Sequence, residues 1–283
     1  MAIKRAKPTT PGRRHYQVVD YSILSNVKPL KSLTRPQHNR AGRNAFGRIT
    51  MRHRGGGERQ LYRLVEFGQT HMGQTGRIET LEYDPNRTSF ICRVVFQNGS
   101  RAYMLAPQGI KTGDTIEINE KVAIKPGNRM KLMHIPVGTE IHNIEVMPGQ
   151  RGKLARSAGS YAILMANEGK YTHLKMPSGE IRKVFNQGFA SIGQTSNNEH
   201  RAVKMGKAGR VRHKGVRPTV RGKVMNPRDH PYGGGEGKTT RGTKRPKDKW
   251  GNITGGHKTR NKKKWSRSFI ISRRPPGTHG TKK

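Results

Sequence analysis

The sequence predicts a mostly β protein, with small barrels or sandwiches in the middle of the chain and a long basic arm on either side. Three observations predict it. Short stretches with apolar residues at period two recur through residues 61–200, separated by turns containing Gly, Pro and Asn. That middle is nearly charge-balanced, with 17 basic and 12 acidic side chains, while residues 1–60 carry 14 and 2 and residues 201–283 carry 26 and 3. Apolar residues make up only 31% of the 283-residue chain, too few for a core along its whole length.

The clearest element is Phe90–Phe96, where Phe90, Cys92, Val94 and Phe96 fall on one face. Asn98-Gly99 follows, then Arg101–Leu105 as a return strand, which is a strong short-range signal for a hairpin. Further strands are expected at Leu61–Phe67, Arg77–Tyr83, Thr115–Ile118, Ile141–Val146, Tyr161–Ala166, Tyr171–Met176 and Glu180–Asn186. Asp84-Pro85-Asn86, Lys125-Pro126-Gly127, Asn167-Glu168-Gly169 and Pro177-Ser178-Gly179 supply the turns. Many short strands at short spacing point to small barrels or sandwiches rather than a parallel sheet. The polar segment Lys121–Arg129 marks a boundary between two of them. No repeat of fixed period is evident.

The arms lack a periodicity that would bury a face. Residues 40–57 read RAGRNAFGRITMRHRGGG and residues 206–223 read GKAGRVRHKGVRPTVRGK, with Gly and Pro spacing the cations. Glycine lets a backbone approach phosphates closely, and proline stiffens an extended path. Arg52 and Arg54 in the first stretch, and Arg210, Arg212, Lys214, Arg217, Arg221 and Lys223 in the second, are the side chains such a path offers to RNA. Solvated disordered tails are the plainer reading, and the two agree if the arms fold on binding.

A net charge of +40 adds self-repulsion that folding alone does not call for. Nucleic acid, the densest polyanion in a cell, relieves it. An anionic membrane is the rival, but it needs a large apolar helix face, and none is present. No stretch approaches the ~18 apolar residues of a membrane-spanning helix. The single cysteine, Cys92, rules out an intrachain disulfide and fits a reducing compartment. After Met1-Ala2-Ile3-Lys4-Arg5 there is no apolar signal region, which gives the expectation of synthesis inside the compartment of use.

Catalytic motifs fail on context. Gly237-Lys238-Thr239 resembles the end of a phosphate-binding loop, but Tyr232 stands where that loop needs its first glycine, and no apolar strand precedes it. Twelve scattered histidines and one cysteine do not give zinc spacing. Asp229-His230-Pro231 has the makings of an acid–base pair, but no nucleophile or substrate pocket can be named beside it. The alternative is a loop packed on RNA, with His230 donating to a phosphate or base. Phe46, Tyr232, Trp250 and Trp265 are aromatics that can stack on unpaired bases or serve as small anchors within the arms, and the sequence does not choose between these for any one of them.

Eight stretches in one order carry a family resemblance: GRNAFGRITMRHRGGG (42–57), LEYDPNR (81–87), LAPQGIKTGD (105–114), IKPGNRM (124–130), IPVGTEIHNIEVMPG (135–149), LARSAG (154–159), GKAGRVRHKGVRPTVRGKVMNPRDHPYGGGEG (206–237) and the basic C-terminus. Together they resemble the bacterial-type large-subunit ribosomal protein number two, a universal family placed near the peptidyl transferase centre. The resemblance covers nearly the entire chain.

The resemblance implies a basic extension at 1–60, an OB-fold-like barrel at 61–124, an SH3-like barrel at 125–200 and a second basic extension at 201–283. It implies a structural role rather than an enzymatic one: binding large-subunit rRNA, supporting assembly of the peptidyl transferase region, subunit association and tRNA binding. The partners implied are large-subunit rRNA, neighbouring ribosomal proteins, the small subunit at the subunit interface and, indirectly, tRNA, on a cytoplasmic or organellar ribosome. No cofactor is implied, Mg2+ entering only as ions associated with the rRNA. The arginines of DPNR and LARS, family contacts to rRNA, fall on Arg87 and Arg156. The histidine after MNP-x-D, linked in the family to peptidyl transfer, falls on His230 and is carried as RNA-contacting, because peptide bond formation is attributed to RNA. The family usually reads HPHGGGEG; here Tyr232 replaces the second histidine, so a mechanism needing two histidines is in doubt while an RNA-packing role is not. An RNA-dependent enzyme and a histone-like compactor are the rival classes; the ordered motifs and the nearly charge-balanced middle count against both.

Overall fold

A computed structural model of the chain describes residues 3–256, 259–261 and 263–274; the end of the C-terminal arm lies outside the described residues. They form two compact units. The first comprises the described residues within 1–38, 59–207 and 268–283, and the second those within 39–58 and 208–267.

The first unit is mostly β, as expected. Its strands are β1 (Ile3–Arg5), β2 (Gln17–Val19), β3 (Thr34–Pro36), β4 (Leu61–Arg63), β5 (Gln74–Glu82), β6 (Ile91–Phe96), β7 (Arg101–Leu105), β8 (Thr115–Ile118), β9 (Arg129–Lys131), β10 (Glu140–His142), β11 (Ile144–Glu145), β12 (Gly152–Leu154), β13 (Ala162–Glu168), β14 (Tyr171–Lys175), β15 (Ile181–Phe185), β16 (Phe189–Ile192) and β17 (Ile270–Ser272). Eleven of them join in the order β17-β15-β14-β13-β10-β16-β9-β8-β5-β6-β7. The hairpin β6–β7 pairs Ile91 with Leu105 through Val95 with Arg101. Its turn is shaped by Asn98, whose Oδ1 accepts the Ser100 N–H at 3.0 Å, and by Gly99 at φ 75°.

Two buried clusters lie on different sets of strands. Ile78, Phe90, Cys92, Val94, Met104 and Ile116 belong to the first, which also takes Val19 from the N-terminal arm. Met130, Ile141, Leu164, Leu174, Val184 and Ile192 belong to the second. A single parallel register, Ile118 with Arg129, joins β8 to β9 and so links the strands of both clusters. The OB-fold and SH3-like designations rest on the family resemblance.

Polar pairs pin these cores. Arg129 and Glu145 are both fully buried, with Arg129 Nη2 3.5 Å from Glu145 Oε1. Arg129 Nη1 donates to Asn143 O at 2.8 Å, and Glu145 Oε2 accepts the Phe189 N–H at 3.2 Å. β9, β11 and β16 are thus locked by one ion pair, which is costly to desolvate and more costly to half-remove. In the other core the buried Tyr103 hydroxyl donates to Glu82 Oε2 at 2.8 Å and accepts the Leu30 N–H at 2.9 Å, fastening the N-terminal arm.

Several elements differ from expectation. The strand expected at Ile141–Val146 is broken by Asn143, whose φ of 48° cannot continue an extended ladder. Only Leu61–Arg63 of the stretch Leu61–Phe67 is a strand, though Glu66 N–H still donates to Tyr103 O at 2.7 Å. β9, β12 and β16, and strands β1, β2, β3 and β17 in the arms, were not anticipated.

Candidate nucleic-acid interface

Arg87 and Arg156 meet at one aromatic ring. The guanidinium of Arg156 lies 4.4 Å from the Phe67 centroid and that of Arg87 lies 5.4 Å from it. The DPNR turn holds Arg87 in place: the fully buried Asp84 accepts Arg87 Nε at 2.5 Å through Oδ2 and the Asn86 N–H at 2.9 Å through Oδ1. With Nε engaged, Arg87 presents its terminal nitrogens. Arg156 is exposed and anchored by one donation from Nη1 to Gly152 O at 3.2 Å. Gly152 in turn donates its N–H to Phe67 O at 2.8 Å. Stacking on the ring orients a guanidinium without using up its outward donors. Phe67 also lines an open cleft of about 450 Å3 with Tyr62, Glu66, His71, Arg101 and Arg151. Sequence reasoning missed Phe67, whose only signal is its place at the end of an expected strand.

The other ten candidates all lie in the second unit. Residues 39–58 hold five basic and one acidic side chain and residues 208–267 hold 19 and three, so this unit has net +20, half the charge of the whole chain. Among its described residues no large apolar side chain is buried. Backbone pairing holds it instead. Arg54 bridges to Val216, Gly55 N–H donates to Gly215 O at 2.8 Å, Arg217 N–H to His53 O at 3.0 Å and Glu58 N–H to His213 O at 3.0 Å. A Cβ on Gly57 would stand 2.9 Å from the Gly215 backbone, so only glycine allows that approach. The pairing ties the arginine-rich piece of one arm to the other. Arg52, Arg54, Lys214, Arg217 and Arg221 are exposed, and Arg210, Arg212 and Lys223 half-buried. α1 (Ala208–His213) carries Arg210 and Arg212 and ends where Gly215 turns at φ 81°. Desolvation and the neighbouring Arg210 charge push the Lys214 amine below its usual range, so an anion here relieves repulsion already present.

His230 is buried, and its ring packs against Gly222, where a Cβ would come within 2.6 Å of it. Its Nδ1 accepts the Tyr232 N–H at 3.1 Å, which places the proton of the neutral ring on Nε2. The basic nitrogen is therefore occupied, and what the ring can offer a partner is a donor. The Tyr232 ring lies 4.9 Å from that of His230, and its hydroxyl accepts the Lys247 N–H. Tyrosine at this position thus clamps the segment that follows. Cys92 is buried and its thiol is pushed up to about 12 by burial, leaving it unreactive. Among the described residues no three His, Cys, Asp or Glu side chains gather as metal ligands would, and no helix is long and apolar enough to cross a membrane.

Residues 30–118 match the model of the family described as ribosomal proteins L2, RNA binding N-terminal domain, and residues 125–251 match that of the ribosomal proteins L2, C-terminal domain. The chain is similar to the large ribosomal subunit protein uL2 of Roseobacter denitrificans, at 50% identity over 274 residues, covering 97% of this chain and 98% of that protein.

Proposed function

The chain belongs to the ribosomal protein L2 (uL2) family, and from that premise we propose that it acts as rRNA-bound scaffolding of the large ribosomal subunit. Its role is structural, not enzymatic. The observation that carries the reading is the second unit, with net +20 on 80 residues and no buried apolar core among its described residues. Such a unit has backbone pairing but no apolar core to set against its self-repulsion, and the phosphates it neutralises supply what is missing.

The working parts divide by chemistry. Arg87 and Arg156, set by Asp84 and Phe67, dock the β unit on the RNA backbone through their outward donors. Arg52, Arg54, Arg210, Arg212, Lys214, Arg217, Arg221 and Lys223 neutralise phosphates where rRNA segments crowd together. His230 donates from Nε2 to a phosphate or base, and Tyr232 packs beside it. By holding rRNA segments together the protein supports assembly of the peptidyl transferase region, subunit association and tRNA binding. Its partners are large-subunit rRNA, neighbouring ribosomal proteins, the small subunit at the interface and, through RNA, tRNA. The ribosome is that of a bacterial cytoplasm or of an organelle encoding its own copy. Mg2+ enters only with the rRNA.

Sedimentation of lysate through sucrose at moderate salt tests this. Co-migration with the large subunit through a high-salt wash is the expected result, and recovery free of RNA at the top of the gradient would overturn it. In a binding titration with large-subunit rRNA, neutralising ~10 phosphates gives a log–log salt slope of about −7 with the single-strand coefficient. A slope near zero sinks the electrostatic account.

A further inference from the structure

Two stretches of the second unit, far apart in the chain, are built alike. RNAFGRIT (43–50) and KDKWGNIT (247–254) align without a gap as basic, Asn or Asp, any residue, aromatic, Gly, any residue, Ile, Thr. Each forms the same turn. Asn44 Oδ1 accepts the N–H groups of Phe46 and Arg48, both at 3.0 Å, and Asp248 Oδ1 accepts those of Trp250 and Asn252 at 2.9 and 2.8 Å. Bridges close the turns, Arg43 with Ile49 and Lys247 with Ile253. Gly47 N–H donates to Asn44 O and Gly251 N–H to Asp248 O, both at 3.1 Å. Thr50 donates N–H and hydroxyl to Gly42 O, and Thr254 donates both to Pro246 O. The two glycines have φ of 73° and 86° with open space around them, so they serve backbone conformation and not clearance.

What this frame does is hold an aromatic ring away from the protein. Phe46 is 89% exposed and Trp250 72%. A turn held by this many hydrogen bonds, the aromatic residue's own N–H among them, is a costly way to leave a ring in water, unless a partner covers it. The neighbours indicate the partner's chemistry. Arg43 and Arg48 flank Phe46, Lys247 and Lys249 flank Trp250, and Lys249 Nζ stands 4.5 Å from the Trp250 centroid. A flat apolar ring between cations matches a base joined to its phosphate, since stacking satisfies the face and the cations meet the backbone. An apolar pocket on a protein would leave those cations facing a desolvated surface.

We propose that Phe46 and Trp250 are two copies of one base-stacking tip, each taking an unpaired base of RNA while its flanking cations meet the adjoining phosphates. The proposal rests on the RNA-binding reading above and deepens it to two defined contacts.

The full chain is titrated with protein-free large-subunit rRNA at fixed salt, as wild type and as Phe46→Ala, Trp250→Ala, Phe46→Trp and Trp250→Phe. Each alanine variant is expected to bind about tenfold more weakly, the aromatic exchanges near wild type, and the salt slope to stay unchanged because no phosphate contact is removed. In a Trp265→Phe background, Trp250 emission is expected to be quenched on RNA binding. Alanine variants that bind like wild type with no quenching would overturn the tips alone and point to a protein pocket as their cover. Wild-type protein that fails to bind the rRNA at all would overturn the RNA-binding reading together with the tips.

Discussion

Arg87 and Arg156 stand over the same ring, their guanidinium carbons 5.4 and 4.4 Å from the Phe67 centroid. Two cations brought to one aromatic ring repel each other, and an anion bound beside them relieves that repulsion. The buried Asp84 already balances Arg87, so Arg156 has the more unspent charge.

Arg156→Ala is therefore expected to weaken rRNA binding and to lower the magnitude of the salt slope by about one. Phe67→Leu keeps every charge but releases both guanidiniums from the ring. It should weaken binding with the slope unchanged. Filter binding over a salt series separates the two effects, and identical slopes for wild type and Arg156→Ala would show that Arg156 meets no phosphate.

The buried pair Arg129–Glu145 gives a stability prediction. Arg129→Met leaves a carboxylate in a dry core beside Phe189, a change that typically costs about 3–5 kcal/mol. Arg129→Met with Glu145→Gln removes both charges and should recover part of that loss. Urea unfolding followed by circular dichroism measures the coupling, and simple additivity of the two substitutions would mean the pair does not act as one unit.

His142 sets a pH dependence. It is buried, shares a 2.8 Å hydrogen bond between Nδ1 and Gly193 O, and burial, aided by the Arg129 charge, pushes its pKa down from 6.5 to about 4. Above pH 6.5 the ring is neutral folded or unfolded and stability is unaffected. Between there and about 4 the unfolded chain takes a proton that the folded ring refuses, so stability falls as pH falls. The fall from this group is at most about 3 kcal/mol and ends once the folded ring protonates too. His142→Gln keeps a donor for Gly193 and should flatten this part of the stability profile. A variant profile parallel to wild type across that window would contradict the assignment.

The local features were legible in the sequence and the long-range ones were not. The alternation through Phe90–Phe96 and the Asn98-Gly99 turn specify β6 and β7, because a hairpin is decided by neighbours in the chain. β9 was hidden because Arg129 reads as a surface residue until Glu145 is placed beside it. The arms looked featureless, but Val19 enters a core and residues 53–58 pair with 213–217, contacts that no periodicity announces. Arg87 and Arg156 followed from motifs shared with a family. The ring that unites them did not, since Phe67 reads as an ordinary aromatic at the end of an expected strand until the fold closes. The twin turns at Asn44 and Asp248 were present in the sequence, but only three of eight positions are identical, and it is the shared hydrogen-bond pattern that makes the match evident.

Tyr232 offers a narrower test. Its hydroxyl accepts the Lys247 N–H, and Tyr232→Phe removes that acceptor from a partly buried donor, a loss of about 1 kcal/mol. Tyr232→His puts a shorter side chain without the phenolic oxygen in its place and is expected to lose the same contact to Lys247. Both variants should raise amide exchange at Lys247 by about fivefold, with β6 and β7 unchanged. Equal exchange in wild type and Tyr232→Phe would remove the clamp from the account.

The second unit predicts opposite responses to salt in the free and bound protein. Ordering a residue's backbone costs about 1–2 kcal/mol, and no buried apolar cluster among this unit's described residues offsets it. With net +20 on 80 residues, self-repulsion adds to that cost in the free protein and weakens as salt screens it. Amide exchange across 39–58 and 208–267 should accordingly be fast in the free chain at low salt and slow down as salt is raised. With rRNA bound, the same amides should be protected at low salt and lose protection as salt rises, because added counter-ions compete with the arginines for phosphate. The strands around Ile141 and Leu174 serve as the internal standard, since apolar burial holds them and neither trend should reach them. Strong protection of the second unit in free protein at low salt would mean its backbone pairing suffices without RNA, and the phosphates would then be ligands of a preformed surface, not part of what folds it.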